Sequence, residues 1–349
     1  MIEVEVKVNS PYSVLIERGA LARLGDELKK ITRANKVLIV TDTNVKDLYL
    51  EKAVQSLTDA GYEVHSFVFT AGEQSKTADT YLNIISALGE NGFKRTDAVV
   101  ALGGGVVGDI AGFAAATYMR GIDVVQLPTT LLAMIDSSIG GKTGVDLPYG
   151  KNLLGAFHQP KLVLADIALL DTLPQKEWAN GIGEGIKYAC LAGGRICEIM
   201  KDGLDKNNLE EFVALCAGYK ADVVAKDEKE GGLRKLLNLG HTVGHAIEKQ
   251  SNFEIAHGVA VAYGVAIMAN AALKSGELSA DDCDRINELL SKYGLADTLK
   301  IDESIMSAIR VDKKAEGANG ISIVTINGIG NCAVKKMTFS EFESYIGIK

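Results

Sequence analysis

Three of the chain's five histidines fall in one short stretch: His241 and His245 in LNLGHTVGHAIE, and His257 in EIAHGVAVAYG. His241 and His245 are four residues apart, so a helix puts both on one face, a spacing suited to a shared metal or catalytic site. By itself that spacing pairs His241 with His245 as ligands. One histidine on a helix is usually a packing residue. Three together, beside glycines that permit close approach, point to a site. Asn238 and Glu248 lie in the same stretch, whereas His65 and His158 stand apart, and His65 reads as structural. A carboxylate ligand must then come from elsewhere in the chain. NGIGEGIKYA offers Glu184, with Lys187 three residues on. An exposed i,i+3 ion pair there is worth little. Gly181, Gly183 and Gly185 weaken a helix, however, and need a compensating reason, which close packing at a metal ligand supplies.

A second group of residues has the chemistry of anion binding. In LGGGVVGDIAGFAA, Gly103, Gly105 and Gly108 fit G-x-G-x-x-G between an apolar strand pattern and a helix. Glycines there let the backbone approach a pyrophosphate, and a helix N-terminus offers N–H groups and a positive dipole end. The bland alternative is a tight turn with close helix–strand packing. Asp42, ending an earlier strand, could accept a bond from a ribose hydroxyl. A third group sets cations among glycines: Lys142, Lys151, Asn152 and His158 in SSIGGKTGVDLPYGKNLLGAFHQP, and Arg234, four residues before Asn238, in DEKEGGLRKLLN. Most Lys and Arg are merely solvated, but cations placed among glycines and apolar residues favour a phosphate or carboxylate ligand.

The elements that must position these groups divide in two. KVLIVTD (36–42), EVHSFVF (63–69), DAVVALGGG (97–105), DVVQLP (123–128) and LVLAD (162–166) read as short parallel strands, and MIEVEVKVNS as a further strand at the N-terminus. Helical patterns alternate with them, at 45–60 closed by Gly61 and in TADTYLNIISALGENG, which predicts a doubly wound α/β domain. From 174 to about 309 the spacing is helical, with only ISIVTI near Ile321 returning to strand. The expected organisation is a Rossmann-like α/β domain over 1–172, followed by a mainly helical domain over 173–349.

Composition narrows the class. The chain has 349 residues, 47% of them hydrophobic and 23% charged, with a net charge of −8. That length favours two domains. The acidic balance argues against a general nucleic-acid binder. It still allows an anionic substrate where Lys and Arg converge. There is no signal-peptide pattern and no apolar run of the ~18 residues a membrane span needs. Five scattered cysteines without CxxC pairs fit reduced thiols in a cytoplasm.

The segments AGEQSK, GGGVVGDIAGFAA, QLPTTLLAMIDSSIGGKTGVD, GKNLLGAFHQP, DEKEGGLRKLLNLGHTVGHAIE and AHGVAVAYG, in this order, carry a resemblance. The chain resembles the 3-dehydroquinate synthases of the sugar-phosphate cyclase superfamily. The resemblance implies a mononuclear metal site, zinc ahead of cobalt, built by Glu184, His241 and His257, with His245 moved from ligand to substrate pocket. It implies NAD contacts at Asp42, Asn44, Glu73, Lys76, Gly104, Gly105, Val106, Asp109, Thr129, Thr130, Lys151 and Leu169, Leu170, Asp171 and Thr172. Substrate contacts are implied at Arg120, Asp136, Lys142, Asn152, Lys187, Lys220, Arg234, Asn238 and His245, with a further lysine at Lys313 or Lys314. The implied reaction converts 3-deoxy-D-arabino-heptulosonate 7-phosphate, a small phosphorylated sugar acid, to 3-dehydroquinate. It proceeds by transient oxidation, loss of phosphate, re-reduction, ring opening and an intramolecular aldol closure, with NAD regenerated in each turnover. A homodimer without nucleic-acid or membrane partners is expected. Gly183 and Gly185 stand where the family more often has alanine and a β-branched residue, and Val265 where methionine is common.

Three other readings compete. A 2-deoxy-scyllo-inosose synthase-like sibling would share metal and NAD but use glucose 6-phosphate. Arg120 and Arg234, suited to clamp a carboxylate, discriminate against it. A metal-dependent polyol dehydrogenase would release NADH and need no phosphate-binding lysines. A catalytically dead homologue would have lost some ligand and lysine positions.

Overall fold

The computed structural model of the chain describes residues 1–251, 254–296, 303–314 and 320–348. Its chain order begins β1 (Ile2–Val6), β2 (Tyr12–Glu17), α1 (Leu24–Ile31), β3 (Lys36–Asp42), α2 (Glu51–Asp59), β4 (Glu63–Phe69), α3 (Ala78–Glu90), β5 (Ala98–Gly103) and α4 (Gly105–Thr117). It continues with β6 (Asp123–Pro128), β7 (Lys142–Leu147), β8 (Gly150–Phe157), β9 (Leu162–Asp166), α5 (Gln175–Ala192), α6 (Gly194–Asp202) and α7 (Leu209–Lys226). It ends with α8 (His241–Gln250), α9 (His257–Lys274), α10 (Ala280–Lys292), α11 (Glu303–Lys314), β10 (Ile321–Gly328), β11 (Asn331–Met337) and α12 (Phe339–Ile346). Two compact units result: Met1–Leu173 with Leu209–Ala225, and Pro174–Asn208 with Lys226–Lys349.

The first unit is built on a seven-stranded sheet in the order β1-β2-β9-β6-β5-β3-β4. Only β1 runs antiparallel to its neighbour; every other pairing is parallel. Every residue of β5 and β9 is buried, as apolar runs covered on both faces must be. Counting β3, β4, β5, β6 and β9 in chain order, they lie 2-1-3-4-5 across the sheet. That doubly wound order places its switch point between β3 and β5, where a ligand crevice opens beyond the strands' carboxyl ends. Asp42 closes β3, and Gly103 to Gly105 lead from β5 into α4. The core on this side joins Leu38, Val40, Ile84, Leu88, Val99, Val107 and Ile110.

The structure departs from the sequence reading at four places. β2, the hairpin β7–β8 and β11 are strands that the periodicity did not reveal. The hairpin is hidden by glycine: a Cβ on Gly155 would stand 2.2 Å from the Thr143 carbonyl, so the strands meet where side chains cannot fit. The fourth difference concerns α7, expected within a contiguous domain from 173 onward. It packs instead with the first unit, where Glu210 accepts the Arg18 N–H at 3.0 Å and the Lys220 ammonium donates to the Asp136 carbonyl at 2.8 Å. Long-range bonds of this kind leave no trace in local spacing.

The second unit is helical apart from the antiparallel hairpin β10–β11. Its central helices, α5 and α9, have 18 residues each. No helix among the described residues is long and apolar enough to cross a membrane. All five cysteines are free thiols.

Candidate active site

Glycines decide how close the helices of the second unit come. A Cβ on Gly183 of α5 would stand 1.9 Å from the carbonyl oxygen of Gly258 on α9, and one on Gly258 1.9 Å from the Asn180 carbonyl. A Cβ on Gly264 of α9 would stand 2.0 Å from the carbonyl of Gly240, which enters α8 with φ near +77°. The Asn180 side chain also accepts the Gly258 N–H at 2.6 Å, anchoring the first turn of α9. Three backbones in such contact bring Glu184 from α5 beside His241 and His257, the first residues of α8 and α9.

The resulting geometry has the spacing of a metal centre. Glu184 Oε1 lies 3.5 Å from His241 Nε2 and 3.3 Å from His257 Nε2. Ligands about 2.0–2.1 Å from a tetrahedral zinc stand about 3.3 Å apart. Glu184 is only 1% exposed, and neither of its carboxylate oxygens receives a hydrogen bond of good geometry. The Lys187 ammonium, 2.5 Å from Oε2, makes an ionic contact. A buried carboxylate left this way is costly unless a cation completes its surroundings. The outer nitrogens of both rings are engaged: His241 Nδ1 with the Leu239 carbonyl at 3.1 Å, and His257 Nδ1 with Glu248 Oε2 at 2.9 Å. Such bonds orient Nε2 toward a shared metal.

The two rings differ in their protonation preferences. Burial, then the charge of Lys187, pushes His241 well below the ordinary histidine value, so its ring stays neutral. Burial also pulls on His257, but the Glu184 and Glu248 carboxylates beside it outweigh that and raise its value to about 10. His245 lies on the exposed face of α8, and ligand atoms of His241, His245 and His257 all fall within 4.8 Å of one another. The role of Glu248 escaped the sequence reading, although it lies seven residues after His241, on the same helical face.

In the first unit, the turn after β5 suits a pyrophosphate. Gly104 caps α4 without a side-chain hydrogen bond, and the first turn has no acidic residue, so its N–H groups and dipole are open to an anion. The packing alternative also holds in part. A Cβ on Gly103 would stand 2.4 Å from Val107, and one on Gly108 2.7 Å from the Gln126 amide oxygen. Thr129 donates its N–H to the Gly103 carbonyl at 2.9 Å, and Thr130 Oγ1 accepts from Ala133 at 3.1 Å, so both border this turn. Val106 packs against the core. Asp42 accepts the N–H groups of Asn44 and Val45 at 2.8 and 3.0 Å, and burial raises its pKa above the ordinary carboxylate value.

Several expected contacts form one network. The Lys76 ammonium donates to Asp109 and to the Asn152 side-chain oxygen, each at 2.6 Å. Asn152, at φ near +56°, donates its N–H to Asp146 at 2.7 Å, and Lys151 pairs with Glu73 at 3.0 Å. Asp146 was not singled out by sequence. The Tyr49 hydroxyl donates to the Leu169 carbonyl at 3.1 Å and also bonds Thr172, while Leu170 is buried and Asp171 pairs with Arg18 at 2.6 Å. Arg120 and Lys142 are exposed, Arg120 with a left-handed backbone. In the second unit, Arg234 is buried and Asn238 donates to Glu230 at 3.1 Å. Lys313 and Lys314 end α11, but their side chains lie outside the described residues. His65 pairs with Glu63 at 2.9 Å and packs edge-on against Phe93, the structural role expected of it.

Residues 66–180 match the family model described as 3-dehydroquinate synthase N-terminal, and residues 181–315 the one described as 3-dehydroquinate synthase C-terminal. The chain belongs to the 3-dehydroquinate synthase family. Relatives of that name include one from Clostridium acetobutylicum, 41% identical and covering 99% of both chains. Another, from Prochlorococcus marinus, is 43% identical over 94% of this chain and 93% of its own. Among solved structures, a 2-deoxy-scyllo-inosose synthase complexed with carbaglucose-6-phosphate, NAD+ and Co2+ aligns with a TM-score of 0.90 at 26% identity, covering 99% of both chains. A 2-epi-5-epi-valiolone synthase from Streptomyces hygroscopicus, with NAD+ and Zn2+ bound, gives 0.83 at 29% identity over 96% of this chain and 95% of that one. An iron-containing alcohol dehydrogenase at 15% identity and a TM-score of 0.65, over 97% of this chain and 98% of that one, shares the fold alone. The 3-dehydroquinate synthase family thus accounts for the order of the motifs and for both halves of the chain.

Proposed function

We propose that the protein converts 3-deoxy-D-arabino-heptulosonate 7-phosphate to 3-dehydroquinate and phosphate, using NAD and a divalent metal. Relatives of that name at 41% identity support this substrate over that of the sibling cyclase at 26%. The observation that carries the chemistry is the buried carboxylate of Glu184, facing two histidine Nε2 atoms at metal-ligand spacing. Glu184, His241 and His257 hold the metal in this reading, zinc ahead of cobalt, and the second unit is the metal- and substrate-binding part. The first unit takes NAD at the β3/β5 switch point, against the N-terminus of α4, with Asp42 at the ribose.

When bound, NAD supplies a hydride acceptor restored in each turnover, and the metal supplies a Lewis acid for the substrate oxygen being oxidised. The protein's own groups bind and orient. Lys187, one helical turn from Glu184, neutralises the carboxylate oxygen turned away from the histidines and presents an ammonium to the substrate. Arg234, Lys220, Lys142, Asn152, Asn238, His245 and Arg120 hold the carboxylate, phosphate and hydroxyl groups, joined by Lys313 or Lys314. Asp136 holds the Lys220 ammonium in place. Fixed cations stabilise developing negative charge without reorganising during the reaction. A cytoplasmic location is supported by five free cysteines. A homodimer is part of the same reading, supported by apolar side chains exposed on β8.

The deciding assay follows phosphate release and NADH absorbance together, with and without a chelator. Chelator-sensitive phosphate release from 3-deoxy-D-arabino-heptulosonate 7-phosphate without accumulating NADH is expected. Release from glucose 6-phosphate alone would move the protein to the sibling cyclases, and accumulating NADH without phosphate would make it a dehydrogenase.

A further inference from the structure

Between the end of α7 and Asn238 the chain folds back around one carboxylate. Asp227 Oδ1 accepts the N–H of Gly231 at 2.8 Å, and Oδ2 accepts those of Gly232 at 2.7 Å and Arg234 at 2.9 Å. Three N–H groups converging on one side chain are a charge-assisted cluster, each bond stronger than a neutral one. They hold the Asp227 carboxyl below the ordinary carboxylate value, the bond from Arg234 contributing most. The turn they close is not a relaxed one, since Glu230 takes φ near +60° within it.

The segment so gathered carries Arg234, which is 2% exposed. Its guanidinium donates to the carbonyl of Glu228 at 2.5 Å, so the backbone and the head group of the residue are both tied to this turn. A buried arginine whose backbone N–H is held by a carboxylate keeps its long side chain in one place. The alternative is to lose rotamer entropy each time an anion binds. Four residues further on, Asn238 is held by Glu230 of the same segment.

We propose that Asp227 is a positioning residue that presents Arg234 to the substrate's anionic group. This rests on the reading of Arg234 as a substrate contact. Asp227 itself touches neither substrate nor metal ligand; it acts by fixing the backbone from which Arg234 extends. Its carboxylate is engaged by the chain, so its function is to pre-organise, and its loss shows first in substrate affinity.

The test is a double-mutant cycle of Asp227→Asn with Arg234→Gln, read in KM and kcat on 3-deoxy-D-arabino-heptulosonate 7-phosphate, with metal content and melting temperature measured on each variant. Asp227→Asn keeps the side chain's shape but weakens the three bonds. It is expected to raise KM roughly tenfold, with a smaller change in kcat. In the Arg234→Gln background the same substitution is expected to change KM less than about twofold, because groups acting through one another are non-additive. Asp227→Ala, which removes every acceptor, should raise KM further than Asn does. Independent, multiplying effects would overturn the proposal, as would an Asp227→Asn variant that loses metal or melting temperature in step with KM. If Arg234→Gln leaves KM unchanged while the wild-type protein turns the substrate over, the placement of Arg234 is wrong, and this proposal fails without the function failing.

Discussion

Glu248 shows how much a residue outside the ligand set can decide. It is 3% exposed, and its Oε2 lies 2.9 Å from His257 Nδ1. That bond fixes the ring and leaves Nε2 directed at Glu184, and the carboxylate at Nδ1 raises the basicity of Nε2. Replacing Glu248 with Gln keeps the volume but removes the charge. Metal affinity measured by competition with a chromogenic chelator should fall 10–100-fold, the usual effect of an outer-shell partner. His257→Ala, which removes a proposed donor outright, should lose the metal while the first unit stays folded. An Asp would be too short to reach the ring, so no rescue is expected from Glu248→Asp. Unchanged metal affinity in Glu248→Gln would mean that His257 is held by packing alone.

At the scale of elements, the meeting of Glu184 with His241 and His257 is a consequence of how closely α5, α8 and α9 approach. In this chain a Cβ added at position 183 would stand 1.9 Å from the Gly258 carbonyl. Backbone cannot yield as a side chain can, so α9 has to shift, and His257 at its first position shifts with it. Gly183→Ala is therefore expected to cost about 1–3 kcal/mol, the usual range for overpacking. The loss should appear as a lower melting temperature and reduced metal content together, although alanine is the better helix former. A variant with wild-type melting temperature and full metal content would show that the glycine contact is not what sets the site. The same argument explains why so glycine-rich a sequence is helical here: tertiary packing at Gly183, Gly258, Gly240 and Gly264 outweighs a propensity deficit of about 1 kcal/mol per glycine.

At the scale of the whole molecule, the hairpin β7–β8 leaves apolar side chains in solvent: Tyr149 is 91% exposed, Leu153 59% and Phe157 47%. An apolar patch of this kind on a sheet edge usually has a partner. With a second copy covering it, light scattering should report about twice the chain mass of 37.1 kDa, and Leu153→Asp with Phe157→Asp should return the protein to a monomer. A monomeric wild type would remove the dimer from the reading. What the sequence determined by itself was local or periodic. The strands at 36–42, 123–128 and 162–166 are buried parallel strands whose apolar runs announce them, 63–69 is a partly exposed edge strand of the same sheet, and all four occur at those bounds. The His241, His245 and His257 cluster was legible because three rare residues fell together. Other features lie beyond local spacing. Bringing Glu184 beside His241 and His257 depends on glycine contacts between helices distant in the chain. Joining α7 to the first unit depends on Lys220 meeting Asp136, 84 residues away. The hairpin β7–β8 was obscured because its glycines face one another where alternation would otherwise show. Periodicity records which face of an element is buried, whereas the partner across that face is chosen only when the whole chain closes its core.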